Sequence, residues 1–377
     1  MPVKIATTVA ELDEYREVWP QLLERSNNRS ITQTWEWMKT WWDVYGEDRE
    51  LLLACKYKQG VVVGIAPLSL AKMRTKYFGV LKYKTAWLLG SGKTTGRGVV
   101  SDYLDFIVEK GEEEDFVRAL LGFLKECPEW EEIILENISC ESSTPRMLTQ
   151  HAGEYGLSCE IISRTPSILI KLPGSWDEYL QGISSSLRYK ISKGRREFEK
   201  LGGVYHLVRE KEELPVAFEK LGSLHQYRWT SRGEPGAFSS EQWKDFHRRF
   251  MGSVFEKGWI KLSFLEIEGK PVAANYNFAF DRKIHYFQSG LIPHENKHVR
   301  LGLILHSFCI EEAINEGFEE YDFLQAGSKG AGYKEIWGNY SRDLFKIRIA
   351  RRCNKERVYW FLNRMFNTAR SVKNSIS

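Results

Sequence analysis

The chain has 377 residues, of which 42% are hydrophobic and 13% aromatic, and its formal net charge is +4. This length exceeds that at which a single core usually keeps growing, so we expect two domains. The composition excludes a disordered protein. The first residues lack the basic-then-apolar profile of a signal peptide, and no run approaches the ~18 apolar residues of a membrane span. We therefore expect a cytoplasmic protein.

The first half of the chain alternates helix and strand patterns. Residues 8–24 predict a helix capped by Thr8. Residues 31–46 predict a tryptophan-rich helix in which Trp37 and Trp41 share a face. We interpret it as a core or domain-interface helix and not as a platform for stacking bases. The remaining predicted elements are a hairpin at 51–70, strands at 84–92 and 101–109, a helix at 115–125 and a strand at 131–138.

The second half repeats this order. A hairpin at 262–280 precedes a strand at 283–290, a polar loop at 292–300, a helix from Leu301 to Gly317 and a short strand at 321–327. Strand, helix and strand in this order predict a βαβ unit with parallel strands. Two copies of one mixed α/β unit predict two domains, 1–165 and 166–345, followed by a tail, 346–377.

The loop before the second-half helix is a candidate anion site. Helix N-termini attract anions, and Arg300 lies beside the first amides of the predicted helix. The segment from His298 to Gly302 therefore predicts a site for phosphate or pyrophosphate.

Basic residues are concentrated in two segments. Residues 188–200 begin with Arg188 and form either a solvated helix face or an electrostatic collar for an acidic ligand. Residues 346–377 hold nine Lys or Arg against one acid, Glu356, interleaved with aromatic side chains. This tail is either a docked terminal helix or a segment that rests on an anionic membrane surface, at the inner face of the membrane.

Two short motifs carry residues typical of catalysis. In LHQYRW, His225 can transfer a proton and Arg228 can hold a carboxylate or phosphate, although a structural histidine fits the same pattern. The segment from His294 to His298 reads H-E-x-x-H, which on a helix would bind zinc, with Glu295 activating water. Pro293 and the polar surroundings indicate a loop instead, so a zinc metalloprotease is a minor alternative and no metal is expected.

Six segments follow one another along the chain: GIAPL, SSSLRYKISKGRREFEK, LHQYRW, GKPVAANYNF, YFQSG and YDFLQAGSKGAGYKEIWG. In the order of these segments the chain resembles the CelD-like branch of the GNAT acyltransferase superfamily. That branch is related to the Fem-type (FemAB-like) aminoacyltransferases of bacterial peptidoglycan and occurs in cellulose and exopolysaccharide gene sets. The resemblance extends from about Trp35 to Trp337.

The resemblance implies an α/β fold with mixed sheets, arranged as two tandem GNAT-like acyl-CoA N-acyltransferase domains. An acyl-CoA thioester would be the co-substrate, with its pyrophosphate at Arg300, Leu301, Gly302 and Leu303. Tyr333 matches the position that protonates the leaving thiolate, and His225 and Asp322 are candidate bases. The implied substrate contacts are Arg188, Arg228, Trp229, Asn275, Tyr286, Gln288 and Lys334.

One departure widens the choice of donor. The superfamily loop usually carries several glycines after its arginine, whereas here Arg300 is followed by Gly302 alone. An acyl carrier protein or an aminoacyl-tRNA would also suit the site, and the basic segments favour either partner by charge. The leading prediction is an N-acyltransferase that acts on an amine of an envelope polysaccharide, lipid or peptide precursor. The alternatives are Fem-like aminoacyl transfer from tRNA and a catalytically silent binding subunit.

Overall fold

A computed structural model describes residues 3–74, 82–92, 98–325 and 331–351. The strands are β1 (Lys4–Ala6), β2 (Glu50–Lys58), β3 (Val61–Arg74), β4 (Lys82–Leu88), β5 (Ile107–Val108), β6 (Glu132–Ser139), β7 (Leu157–Lys171), β8 (Gly203–Leu207), β9 (Ile260–Ile267), β10 (Lys270–Phe280), β11 (Lys283–Leu291), β12 (Glu320–Gln325) and β13 (Tyr340–Arg351). The α-helices are α1 (Val9–Asp13), α2 (Val18–Glu24), α3 (Trp35–Tyr45), α4 (Glu113–Glu126), α5 (Thr144–His151), α6 (Trp176–Gly182), α7 (Ser185–Lys200), α8 (Leu214–Thr230), α9 (Glu241–Val254), α10 (Leu301–Asn315) and α11 (Ala331–Glu335).

Within the described residues, the strands form one mixed sheet. Its order is β1-β2-β3-β4-β6-β13-β7-β12-β11-β10-β9-β8, and β5 pairs with β3 beside this path. Each half of the chain contributes an antiparallel run that ends in a parallel pair, β4 with β6 and β11 with β12. A helix lies between the members of each parallel pair, α4 in the first half and α10 in the second. The predicted duplication of a mixed α/β unit and the predicted βαβ unit of the second half are confirmed. The first half has a matching βαβ connection.

The two halves exchange strands at the centre of the sheet. β7, which ends the first half, pairs with β12 of the second half. β13 pairs with β6 of the first half. β7 and β13 are antiparallel neighbours from Tyr340↔Leu169 to Arg351↔Leu157. The hydrogen-bonded ladder is therefore continuous from one half to the other.

Helices cover both faces of the second-half sheet. On one face, α6, α7 and α10 bury Tyr179, Ile191 and Ile310 in one core. On the other face, α8 and α9 pack beside α3 of the first half. There the Trp37 ring meets Phe246 and Phe250 edge to face, with centroids 4.9 Å apart in both pairs. This confirms the interpretation of the tryptophan-rich helix as a core and interface element.

Two predicted elements differ from the structure. Residues 8–24 form two helices, with Thr8 capping the first as predicted. Pro20 has no N–H to donate to Arg16 and its ring crowds that carbonyl, which interrupts the helix there. The predicted strand at 101–109 is mostly loop, with a two-residue strand, β5, at its end. Tyr103 in that loop has φ 62°, which a strand cannot accommodate.

The predicted boundary and tail are described only in part. The division at 165/166 falls inside β7, which continues to Lys171. Of the tail predicted at 346–377, residues 346–351 complete β13, and the remainder, with its proposed membrane contact, lies outside the described residues. In the described part of the chain, no helix combines the length and apolar character needed to cross a bilayer.

Candidate functional site

The candidate site begins where two parallel strands separate. β11 and β12 pair only from Lys283↔Glu320 to His285↔Asp322. Beyond this point β11 stays with β10 as far as Leu291, while Gln325 of β12 pairs with β7. A gap therefore opens between the carboxyl ends of β11 and β12, inside the predicted βαβ unit.

The N-terminus of α10 closes one side of this gap. Arg300 occupies the N-cap position and makes no side-chain capping hydrogen bond. The first N–H groups of an α-helix have no partner within the helix, so those of Leu301, Gly302 and Leu303 are available to a ligand. The helix dipole adds a partial positive charge at the same place.

A cavity of about 820 Å³ fills the gap. This volume is typical of small-molecule and cofactor sites, which span about 300–1,000 Å³. The described residues that line it include five cations and no Asp or Glu: Arg228, Arg232, Lys297, Arg300 and Lys334. The cavity therefore suits an anionic ligand.

Tyr333 places its hydroxyl over the first turn of α10. A methyl group added at Gly302 would lie 3.2 Å from the Tyr333 Oη. Part of the ring is open to solvent, with 42% of the residue exposed. Burial of the hydroxyl end raises the pKa of Tyr333 far above its ordinary value. The phenol therefore remains protonated and can donate a hydrogen bond into the cavity.

Lys334 holds the end of β12 in place. Its Nζ donates to the carbonyls of Phe323, Leu324 and Gln325, with the last two at 3.1 and 2.8 Å. These three bonds use all three donors of an ammonium group. Burial lowers the pKa of Lys334, which is partly offset by Asp102 and Asp322. The side chain supplies charge to the cavity and anchors α11 to β12.

Polar side chains of three elements form the floor of the cavity. His306 of α10 is 2% exposed, and its Nδ1 lies 3.0 Å from the Tyr321 hydroxyl. The Nδ2 of Asn275 lies 3.5 Å from the same nitrogen. Tyr286 and Ser289 share a hydrogen bond of 2.6 Å between their hydroxyls.

Nine of the predicted site residues line this cavity. They are Arg228, Asn275, Tyr286, Arg300, Leu301, Gly302, Leu303, Tyr333 and Lys334. His306 joins them although the sequence analysis gave it no role in acyl transfer. The available signal was its spacing, because His306 follows Gly302 by four residues and so shares its helix face.

The other five predicted residues lie outside the lining. His225 is buried, with its ring 5.8 Å from that of Trp229 and 5.1 Å from that of Phe238. Arg188 donates to the Ile183 carbonyl at 3.4 Å, and the Gln288 side chain accepts from the Ser289 N–H at 3.1 Å.

Asp322 belongs to the junction between the halves. Its carboxylate accepts hydrogen bonds from Ser167 and from the Leu324 N–H, both at 2.6 Å, and from the Tyr103 hydroxyl. Arg342 lies 3.8 Å away. Asp322 is fully buried and does not line the cavity.

The H-E-x-x-H residues form a turn and not a helix. The Nδ1 of His294 accepts from the Asn296 N–H, and the Asn296 side chain accepts from the His298 N–H, both at 3.0 Å. The shared helix face that the zinc alternative requires is therefore missing from residues 294–298. Among the described residues, no cluster of three or more His, Cys, Asp or Glu side chains could hold a metal ion.

Residues 185–335 match the family model described as an acetyltransferase (GNAT) domain. The match covers less than half of the chain but includes α8, β10, β11, α10 and α11, the elements around the cavity. Among curated protein sequences, no significant match was found.

Solved structures resemble the chain over nearly its whole length. FemX has 12% identity, a TM-score of 0.62 and coverage of 88% of this chain and 95% of its own. L-PGS from Bacillus licheniformis has 10% identity, a TM-score of 0.53 and coverage of 92% and 96%. The C-terminal domain of a putative lysylphosphatidylglycerol synthetase from Agrobacterium fabrum has 11% identity, a TM-score of 0.51 and coverage of 94% and 96%. Identities this low indicate a common fold alone.

The domain match and the fold together define the class: the protein is an acyltransferase. More particularly, residues 185–335 match a GNAT-type acetyltransferase domain, within a fold that is similar to that of FemX.

Proposed function

We propose that this protein transfers an acyl group from a thioester or aminoacyl ester donor to an amine. The observation that carries the proposal is the cavity between the diverging β11 and β12, lined by the uncapped start of α10 and several cations. Among the described residues, no carboxylate lines it. Both donor types carry phosphates. The proposed phosphate site consists of the first amides of α10 together with Lys297 and Arg300.

The proposed chemistry needs few groups from the protein. The amine nitrogen attacks the acyl carbon, the carbonyl electrons move to oxygen, and collapse of the tetrahedral intermediate expels the leaving group. Tyr333, held protonated by burial, gives its proton to the leaving thiolate or alkoxide. Its phenolate regains through water the proton that the attacking amine loses. Positioning of the two substrates in the cavity contributes much of the rate.

The proposed acceptor lies on the side of the cavity formed by the end of α8. Arg228, Ser231 and Arg232 line the cavity there. An acceptor that carries phosphate or carboxylate next to its amine would pair with these arginines. An envelope polysaccharide, lipid or peptide precursor meets this requirement, as the CelD-like resemblance implies.

Aminoacyl transfer from tRNA is the second candidate. The proteins similar in fold across nearly the whole chain include FemX and L-PGS. The lone glycine after Arg300 supports the same choice, because the loop lacks the glycines usual in the superfamily.

A thermal-shift titration with coenzyme A, acetyl-CoA and a long-chain acyl-CoA tests the donor. A donor present at a free concentration of 100 times its Kd should raise the unfolding free energy by about 2.7 kcal/mol, because it binds the native state alone. Replacing Lys297 and Arg300 together by glutamine should weaken this effect. Arg16→Gln, at an exposed position outside the cavity lining, should leave this stabilisation unchanged.

The alternatives predict different results. If no coenzyme A compound stabilises the protein but aminoacyl-tRNA transfers its amino acid to an added amine, the tRNA donor is correct. Tight binding without transfer from any donor would favour a silent binding subunit and reject the enzymatic proposal.

A further inference from the structure

His306 lines the cavity, and its Nδ1 is turned to buried polar groups of the protein core. Its Nδ1 faces the Tyr321 hydroxyl and the Asn275 amide, at 3.0 and 3.5 Å. The residue is 2% exposed and lines the cavity. Among the described residues, no hydrogen-bond partner is assigned to Nε2. This nitrogen is also not one of the polar atoms that are fully buried without a partner. Nε2 is thus the ring nitrogen that remains available to a ligand.

The Tyr321 hydroxyl decides which nitrogen carries the proton. Tyr321 is fully buried, and its hydroxyl lies 3.0 Å from His306 Nδ1. The Asn277 side chain also meets this hydroxyl, as a donor that partly offsets the rise that burial causes in the pKa of Tyr321, so His306 Nδ1 is the acceptor assigned to it among the described residues. A buried hydroxyl proton without an acceptor would cost about 1–3 kcal/mol, so Tyr321 donates to Nδ1. The Asn275 Nδ2 can only donate, which also requires Nδ1 to be the acceptor. A neutral ring must then carry its proton on Nε2.

The surroundings keep this imidazole neutral and fixed. Besides Tyr321, four aromatic rings lie around it, those of Tyr286, Phe323, Tyr333 and Trp337, at centroid distances of 4.6, 5.2, 5.8 and 5.8 Å. Burial, together with the charge of Lys334, lowers the pKa of His306 to about 3. The ring therefore donates from Nε2 without titrating near neutral pH.

We propose that His306 is a catalytic residue whose Nε2–H donates a hydrogen bond to the acyl carbonyl oxygen, with Tyr321 and Asn275 as its positioning residues. This inference rests on the proposed acyl transfer and assigns a step within it. As the amine attacks, the carbonyl electrons move to oxygen and the Nε2–H bond to that oxygen strengthens. His306 transfers no proton, and collapse of the intermediate restores the carbonyl and expels the leaving group.

The division of labour follows from the two donors in the cavity. Tyr333 lies over the start of α10, and its ring centroid is 5.8 Å from that of His306. One hydroxyl and one imidazole N–H thus face the same space. His306 stabilises the oxygen that becomes negative, and Tyr333 protonates the group that leaves.

The tautomer can be measured without any substrate. ¹⁵N-NMR of protein labelled in its histidines should show the His306 proton on Nε2, unchanged between pH 5 and 9. The His306 signals are those lost in His306→Gln. A proton on Nδ1, or a charged ring within this pH range, overturns the inference.

The hydrogen bond to the carbonyl is tested with [1-¹³C]acetyl-CoA as the probe. In isotope-edited infrared spectra, binding to the wild type should lower the frequency of the thioester C=O band. His306→Leu combined with Tyr321→Phe removes both partners and leaves no orphaned hydroxyl. This double variant should lose the shift, and kcat for acetylation of glucosamine 1-phosphate, which carries a phosphate next to its amine, should fall by about 10²–10³ with KM little changed. His306→Gln, which keeps an N–H donor, should retain part of the infrared shift and part of the wild-type kcat.

The controls separate this inference from the proposed function. Tyr321→Phe alone leaves the longer contact with Asn275 to hold the tautomer, so a minor Nδ1–H form should appear in the NMR spectrum and kcat should be intermediate. Equal infrared bands in the wild type and the double variant, with thermal unfolding showing both folded, would reject the role of His306 while leaving acyl transfer standing. If the wild type does not bind acetyl-CoA, the thioester donor fails, and the NMR tautomer still decides for or against His306.

Discussion

Asp102 is a buried carboxylate that ties the first half of the chain to the rim of the cavity. It accepts hydrogen bonds from the Gln325 N–H at 3.0 Å and the Gln325 side-chain amide at 2.7 Å. Burial raises the pKa of Asp102 to about 6, and the nearby Asp322 adds to the effect while Gln325 and Lys334 oppose it. The folded protein therefore binds this proton more tightly than the unfolded chain, in which the pKa is about 3.9.

This shift predicts how stability depends on pH. Between about pH 4 and 6 the folded state holds more protons than the unfolded state, so the contribution of Asp102 to stability falls as pH rises. Relative to Asp102→Asn, the wild type should lose up to about 3 kcal/mol of unfolding free energy across this window, since one pKa unit is about 1.4 kcal/mol. Denaturant unfolding at a series of pH values measures the difference.

A second variant supplies the control. Gln325→Leu removes one donor to the carboxylate, so it should raise the pKa of Asp102 and move the pH window upward. A stability difference between wild type and Asp102→Asn that stays constant from pH 4 to 7 would contradict the burial argument.

Residue types predict chemistry better than they predict location. Asp322 and Tyr321 are neighbours on β12, and alternate strand residues face opposite sides of a sheet. The structure places Tyr321 beside His306 and Asp322 beside Ser167 at the junction. On α8, Arg228 faces the cavity while His225 packs against Phe238. The sequence shows which side chains lie on each face of an element. Tertiary packing decides which of the two faces lines the cavity.

At the scale of elements, the contact between α8 and β11 shapes the cavity wall. A Cβ added at Gly290 would lie 2.2 Å from the His225 backbone nitrogen and 2.5 Å from the Leu224 carbonyl carbon. Backbone atoms of a packed helix cannot yield as a flexible side chain can. A glycine in β11 therefore lets α8 approach closely enough to bring Arg228 to the cavity.

Gly290→Ala should consequently destabilise the protein by about 3 kcal/mol or more, at the upper end of overpacking effects. It should also weaken donor binding, because α8 carries part of the lining. The matched control is Gly252→Ala in α9, where an added Cβ meets nothing within 4 Å. That change should stabilise the helix by up to about 1 kcal/mol. Equal denaturation midpoints for the two variants would show that α8 moves aside freely.

Most elements of the second half could be predicted from the sequence because their signals are local. The hairpin, β11, α10 and β12 follow from turn residues and hydrophobic periodicity. The loop at 98–106 could not be predicted, since its shape depends on distant partners. Asp105 receives hydrogen bonds from Asn28 and Ser142, and Thr32 donates to the Asp102 carbonyl. Apolar residues in a strand-like order do not reveal such contacts.

At the scale of the whole molecule, the duplication was predictable and the exchange of strands was not. The order of elements repeats in sequence, and that repetition predicts two similar units. The pairing of β7 with β12 and of β13 with β6 joins segments far apart in the chain. No local sequence pattern shows which strand pairs with the edge of each half, because the backbone groups of either edge could pair with any antiparallel strand.

The exchanged strands predict that neither half folds alone. A fragment ending at 172 keeps β7 but lacks β12 and β13, the two strands that flank it. A fragment starting at 173 keeps β13 but lacks β6 and β7 on either side of it. Each would expose a strand of 15 or 12 residues with unpaired backbone groups, a known cause of aggregation. The fragments should be insoluble when expressed separately and should form a soluble complex when expressed together.

Copurification of the two fragments through a tag on one of them measures this result, and circular dichroism of the complex should match that of the intact chain. Trp37→Ala provides the control, because it removes a fully buried ring from the interface of α3 and α9 but keeps the strand exchange. It should weaken the fragment complex, with a cost of about 3–5 kcal/mol in the intact chain. Two separately soluble and cooperatively unfolding fragments would instead establish independent domains on either side of β7. In that case the central ladder would be a docking surface and not a shared part of both folds.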